Sequence, residues 1–310
     1  MGRREITIGS RGSKLALIQT NIVIDELKKY YPETNFKIRE IKTIGDKILD
    51  KTLSKIGGKG LFVKEIESAL LKGEIDIAVH SMKDVPSKFP QSLEISAITK
   101  RADVRDVLIT KEDKSLFDLK EGAVIGTSSL RRGAQLRSIR SDVEIVPIRG
   151  NVQTRIRKMK EMNLDGVVLA AAGLIRTGLE NKISYFFNER DIVPAVGQGA
   201  LGLETRVDDS LIKEIVSKIN DKHTEIAVKA ERIFMKVLNG GCHVPIGAYA
   251  FIEDGKVKME GVVASIDGKE IIKAYDEDDI KNYEKLAEEI AVKVLNKGGR
   301  EILKALEDGE

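Results

Sequence analysis

The stretch Ile75-Asp76-Ile77-Ala78-Val79-His80-Ser81-Met82-Lys83-Asp84-Val85-Pro86 decides the fold. Of its first five residues, IDIAV, four are apolar and three of those are β-branched. They are too few for a helix, so they predict a strand covered on both faces of a sheet. The polar run from His80 to Pro86 then falls at the carboxyl end of that strand, where open α/β sheets hold their ligands. Asp84 is a candidate acid, base or electrostatic stabiliser there, with Lys83 beside it. A second reading, that Asp84 only caps a turn before Pro86, has equal weight on sequence.

Outward from this strand, strands and helices alternate through the first two-thirds of the chain. Glu5–Gly9 reads as a strand and Lys14–Lys29 as a helix with Ser13 as its N-cap. Phe36–Lys42 reads as extended and Leu61–Leu71 as helical. Further strands are expected near Ala123–Gly126, Val143–Ile148 and Gly166–Ala170. The alternation predicts an α/β fold with a mainly parallel sheet. IGSRGSKLALIQ from Ile8 and IGTSSLRRGAQL from Ile125 echo each other. The echo suggests two related lobes, each offering a strand-to-helix turn whose free N–H groups suit anions. The long segment Thr43–Gly60, rich in Lys and Asp, reads as a lid carrying Lys55 and Lys59. From Asp221 a helix leads to Leu238. Extended segments then turn at Asp254-Gly255 and Asp267-Gly268, and helices close the chain. That is a small α+β domain with a three-stranded antiparallel sheet.

Composition bounds the function. A chain of 310 residues, 42% hydrophobic and 33% charged, is globular and long enough for two or three domains. It has no apolar run long enough to cross a membrane. One cysteine and an opening without a signal peptide point to the cytoplasm, and a monomer is the default expectation. The net charge of +3 is small, but its distribution is not even. Seven arginines and no lysine lie between Arg131 and Arg157, opposed only by Asp142 and Glu144. Arginine alone favours a two-pronged grip on carboxylates or phosphates; a solvated helix face is the other reading. Arg131, Arg132, Arg149, Arg155 and Arg176 come from several successive strand ends, which favours a site. That stretch has no aromatic residue to stack bases, which argues against nucleic acid. The three histidines are scattered and no metal site is expected.

The one cysteine, Cys242, sits in Asn239-Gly240-Gly241-Cys242-His243-Val244-Pro245. It has no partner for an internal disulfide. A small buried hydrophobe is one reading; a nucleophile or attachment point left uncovered by the glycines is the other.

The blocks SRGSKLA, HSMKDVP, GTSSLRRGAQL, RGNVQTR, AAAGLIRTG, PAVGQGALGLETR and NGGCHVPIGAYA resemble, in order, those of the hydroxymethylbilane synthase (porphobilinogen deaminase) family. His243 stands where relatives often have Gln. The resemblance implies two lobes like those of periplasmic binding proteins with an active cleft between them. It would give residues 1–99 with 199–219 to the first lobe, 100–198 to the second and 220–310 to the domain that carries the cofactor. It implies a transferase that joins four porphobilinogen molecules head to tail on a dipyrromethane held by a thioether to Cys242. The linear tetrapyrrole of porphyrin and haem biosynthesis is then released, with loss of ammonia. Asp84 would be catalytic. Arg11, Arg131, Arg132, Arg149, Arg155 and Arg176 would bind the acetate and propionate groups, with Ser13, Lys83, Thr127, Ser129 and Gln198 as polar contacts. The rival readings are a two-lobed module that only senses a small polyanion and an RNA-binding protein.

Overall fold

A computed structural model describes residues 5–43, 63–86, 90–239 and 244–308. Cys242 and the lid lysines Lys55 and Lys59 lie outside the described residues. The chain divides into two compact units, Met1–Arg101 with Ala200–Glu225 and Ala102–Gly199 with Ile226–Glu310.

The first unit opens with β1 (Glu5–Arg11), α1 (Lys14–Lys28), β2 (Asn35–Ile41), α2 (Lys64–Leu71), β3 (Ile77–Ser81) and β4 (Leu93–Ile98). Ser13 is the N-cap of α1, its hydroxyl accepting the Ala16 N–H at 3.3 Å. The apolar run begins its strand two residues later than expected, so His80 and Ser81 belong to β3. Ile77 and Val79 enter one core with Ile6, Ile8 and Leu27, while Ala78 enters another with Ile66 and Leu70. Both faces of β3 are therefore covered, as a continuous apolar run requires.

In the second unit come β5 (Asp106–Thr110), β6 (Val124–Gly126), α3 (Leu130–Ile139), β7 (Glu144–Val146), α4 (Val152–Glu161), β8 (Gly166–Ala170), α5 (Ala171–Arg176) and β9 (Tyr185–Phe186). The chain returns to the first unit with β10 (Leu201–Arg206) and α6 (Ser210–Ser217). The two five-stranded sheets run β2-β1-β3-β10-β4 and β7-β6-β8-β5-β9. Aligning β6 with β1 makes the two orders identical, so the echo at Ile8 and Ile125 marks a repeated supersecondary unit. The expectation of a mainly parallel sheet needs correction. β1 and β6 have parallel neighbours, whereas β10 and β5 are antiparallel to the strands on both sides. These two strands follow the points where the chain passes between units, not a crossover helix, and only such a helix enforces parallel pairing.

The chain continues through α7 (Lys222–Val237) into β11 (Ile246–Glu253), β12 (Lys256–Ala264) and β13 (Ile271–Asp279), an antiparallel meander, then α8 (Tyr283–Val294) and α9 (Arg300–Asp308). Asp254 and Gly255 both have positive φ, 52° and 75°, and join Glu253 to Lys256 as a two-residue hairpin. Asp267 and Gly268 fall instead in a longer loop between Ala264 and Ile271. Phe234 of α7, Ala248, Met259, Leu286 and Ile290 fill the core of this part.

Gly199, the last residue before the chain re-enters the first unit, has φ +88°. A Cβ placed there would lie 2.6 Å from the Ala102 carbonyl oxygen, in a segment where Ala102 N donates to Gly199 O. Gly199→Ala should therefore cost about 2 kcal/mol from strained φ and backbone collision. Denaturant unfolding checks this; a variant as stable as the parent would contradict it.

Candidate active site

In the first unit the site residues cluster where β3 ends. Met82–Asp84 form one turn of 3₁₀ helix, closed by Val85 N donating to Met82 O at 3.3 Å. Met82 is buried and its N–H donates to Ala200 O, which pins the turn to the start of β10. Lys83 is half-buried and Asp84 exposed on this anchored turn. Arg11 at the end of β1 is half-buried, and the Ser13 hydroxyl is committed to capping α1. His80 has no sequence neighbour to pair with, yet topology gives it one. Its Nε2 lies 2.8 Å from Glu204 Oε2 on the adjacent β10, and both side chains are buried. Burial, then the nearby charge of Glu204, raises the Glu67 pKa above its ordinary value.

In the second unit β6 delivers the chain into a tight turn before α3. Thr127 Oγ1 accepts the Ser129 N–H at 3.2 Å, and Ser129 Oγ accepts the Arg132 N–H at 3.4 Å as the helix cap. Both hydroxyls shape the turn that launches Arg131 and Arg132. These two arginines are only 5% and 6% exposed. Between them lies Asp106, the first residue of β5 and fully buried. Asp106 Oδ1 accepts from Arg132 Nε at 3.0 Å and Nη2 at 2.6 Å, while Oδ2 is 2.7 Å from Arg131 Nη1. Gln198 Nε2 donates to the same Oδ1 at 3.0 Å and to Val104 O at 2.7 Å. Burial alone would raise the Asp106 pKa, but the charges of Arg131 and Arg132 outweigh it and hold the carboxyl well below its usual range. Arg131 is pushed down by burial, with Asp106 offsetting part and Arg132 adding to it.

The remaining arginines divide by role. Arg155 Nε donates to Gly150 O at 2.8 Å, across the first turn of α4, and both Arg149 and Arg155 are half-buried. Arg176, at the end of α5, donates to Gly199 O at 2.7 Å, and burial lowers its pKa to about 10. By contrast Arg137 reaches Ile266 O, Arg140 pairs with Asp142, and Arg157 pairs with Glu161 one turn on. Three of the seven arginines in the lysine-free stretch are thus committed to loop and helix contacts. Arg131 and Arg132 are joined to Gln198 by Asp106, a residue the sequence reading missed. Its signal was an acid at the head of the apolar run Asp106–Ile109. Glu231 was missed as well: buried on α7, it accepts from Gly197 N at 2.7 Å and Ala250 N at 2.9 Å. It fastens the Pro194–Gly199 segment to β11, and an acid on an apolar helix face was the clue.

Residues 6–214 match the model of the porphobilinogen deaminase dipyromethane cofactor binding domain, and residues 225–296 match that of the porphobilinogen deaminase C-terminal domain. The chain is 53% identical over 303 residues to the porphobilinogen deaminase of Alkaliphilus metalliredigens (strain QYMF), covering 98% of this chain and 96% of that one. It is 49% identical over 304 residues to that of Carboxydothermus hydrogenoformans, covering 98% of each. Among solved structures, a periplasmic sulfonate-binding protein SsuA from Methylobacillus flagellatus KT aligns with 74% of this chain and 68% of its own. Its identity is 16% and its TM-score 0.38, a likeness too remote to bear on the assignment. With both domain models matched and half the residues shared across nearly the full length, the chain belongs to the porphobilinogen deaminase family.

Proposed function

We propose that this chain is a hydroxymethylbilane synthase, a transferase that deaminates four porphobilinogen molecules and links them head to tail. The observation that carries the reading beyond the family match is Arg176. Burial alone pushes this guanidinium down, and no acidic side chain among the described residues offsets the cost. A partly desolvated cation at a helix end is stabilised by an incoming carboxylate. Porphobilinogen brings two, an acetate and a propionate, which are charged at neutral pH.

The donor set fits a dipyrromethane, whose two rings carry four carboxylates. Arg131, Arg132, Arg149, Arg155, Arg176 and Arg11 would grip those of the cofactor and of the growing chain, with Ser13, Lys83, Thr127, Ser129 and Gln198 supporting. Thr127, Ser129 and Gln198 do so from behind, since their hydrogen bonds hold the arginines' backbone and Asp106. When bound, through Cys242, the dipyrromethane supplies the free α-carbon to which new units are joined. Asp84 would stabilise the positive charge that spreads to the pyrrole nitrogen as porphobilinogen loses ammonia, and help move the proton lost afterwards. That Asp84 is exposed on a turn anchored by buried Met82 supports this reading. The same reading gives residues 1–99 with 199–219 and 100–198 as lobes and 220–310 as the attachment domain. It also makes the enzyme a cytoplasmic monomer.

The test is stoichiometry: porphobilinogen consumed should equal ammonia released, with one linear tetrapyrrole formed per four consumed. Binding of porphobilinogen without ammonia release would overturn the function. Cys242→Ser should fold and yet form no tetrapyrrole, because a hydroxyl is a far weaker nucleophile near neutral pH. A fully active serine variant rejects attachment at Cys242. In Asp84→Asn, shape is kept and charge lost, so turnover per loaded molecule should fall roughly a hundred- to a thousandfold, about 3–4 kcal/mol. An unchanged melting curve is expected beside it, since Asp84 is exposed. Turnover within tenfold of the parent excludes the role. Arg176→Lys should raise KM for porphobilinogen about tenfold or more, because an ammonium cannot grip a carboxylate with two prongs. Parent kinetics in this variant would make Arg176 structural.

A further inference from the structure

Asp106 is buried among the arginines that the proposed function assigns to carboxylate binding, and it belongs to none of the roles given so far. Three hydrogen bonds converge on its Oδ1, two from Arg132 and one from Gln198, and the Arg131 Nη1 lies 2.7 Å from its Oδ2 as an ion pair. Main-chain carbonyls also hold each guanidinium. Arg131 Nη1 donates to Val193 O at 2.6 Å and Arg132 Nη1 to Val168 O at 3.3 Å. Val193 is itself held by Gln135, whose Oε1 accepts the Val193 N–H at 2.8 Å and whose Nε2 donates to Val193 O at 3.2 Å. The set therefore has fixed directions as well as fixed charges.

Among the described residues, two buried cations share one anion. For stability alone a single Asp–Arg pair would serve, and a second desolvated guanidinium works against folding. The surplus positive charge is explicable if a ligand carboxylate completes the balance. Without Asp106 the two guanidinium groups would repel each other, held only by the Val193 and Val168 carbonyls. With it they stay side by side, one net charge short of neutral.

We propose that Asp106 is a positioning residue for ligand binding: it holds Arg131, Arg132 and Gln198 in one rigid array that receives a pyrrole carboxylate. This inference rests on the porphobilinogen reading above. It assigns Asp106 no contact with substrate; its effect passes through the two arginines.

The test compares the parent with Asp106→Asn and Asp106→Glu, each produced in a host that makes its own tetrapyrroles. Folded monomer is isolated by size exclusion. Intact mass then gives the fraction carrying two added pyrrole units, and melting curves and porphobilinogen kinetics follow. In Asp106→Asn the array loses its anchor, and the loaded fraction of folded molecules should fall at least tenfold. Asp106→Glu keeps the charge but moves it by one methylene. It should melt near the parent and yet show a KM at least fivefold higher on its loaded molecules, with kcat within threefold. If Asp106→Asn does not fold, Asp106→Glu decides alone. Parent loading and parent KM in the folded variants, whatever their melting temperatures, would overturn the proposal while leaving the enzyme assignment intact. A parent without added mass would overturn the enzyme assignment and this inference with it.

Discussion

A buried carboxylate between two buried guanidinium groups ties together three stretches of the second unit. Asp106 opens β5, Arg131 and Arg132 open α3, and Gln198 ends the segment that leads back to β10. Three stretches far apart in sequence meet at one charged point. Breaking one partner of such a set leaves an uncompensated charge in low dielectric, which typically costs about 3–5 kcal/mol. Thr127 and Ser129 build the turn that launches the two arginines, and Gly197 and Gly199, on either side of Gln198, have positive φ.

Much of this architecture could be read from the sequence, because its signals are local. The apolar run at Ile75, the Ser13 cap and the Asp254-Gly255 hairpin each depend on neighbouring residues, and each lies at or within two residues of its expected place. The repeated Ile-Gly-Ser/Thr turn correctly announced two units of like topology. The direction of β5 and β10 could not be read in the same way. Strand direction is set by where the chain arrives from, and both strands follow passages between units.

The candidate site was legible in its residue types and much less so in its pairings. Arginines without lysines pointed to anion binding, but the pattern could not separate Arg140 and Arg157, which serve local ion pairs, from Arg131 and Arg132. Asp106 and Glu204 are single acids within apolar strands, and their partners lie 26 and 124 residues away. Long-range pairs of this kind carry no sequence periodicity. Only the fold reveals that His80 has an acidic neighbour, or that Gln198 faces Asp106.

If the buried arginines serve the carboxylates of a pyrrole chain, the protein itself must carry that chain. Intact mass of the protein as purified from a tetrapyrrole-making host tests this most directly. The account predicts a mass above that of the 34.3 kDa sequence by two linked pyrrole units. The addition should survive denaturation and map to the peptide containing Cys242. A purified, folded chain with the bare sequence mass would contradict it and leave a two-lobed anion-binding protein in its place.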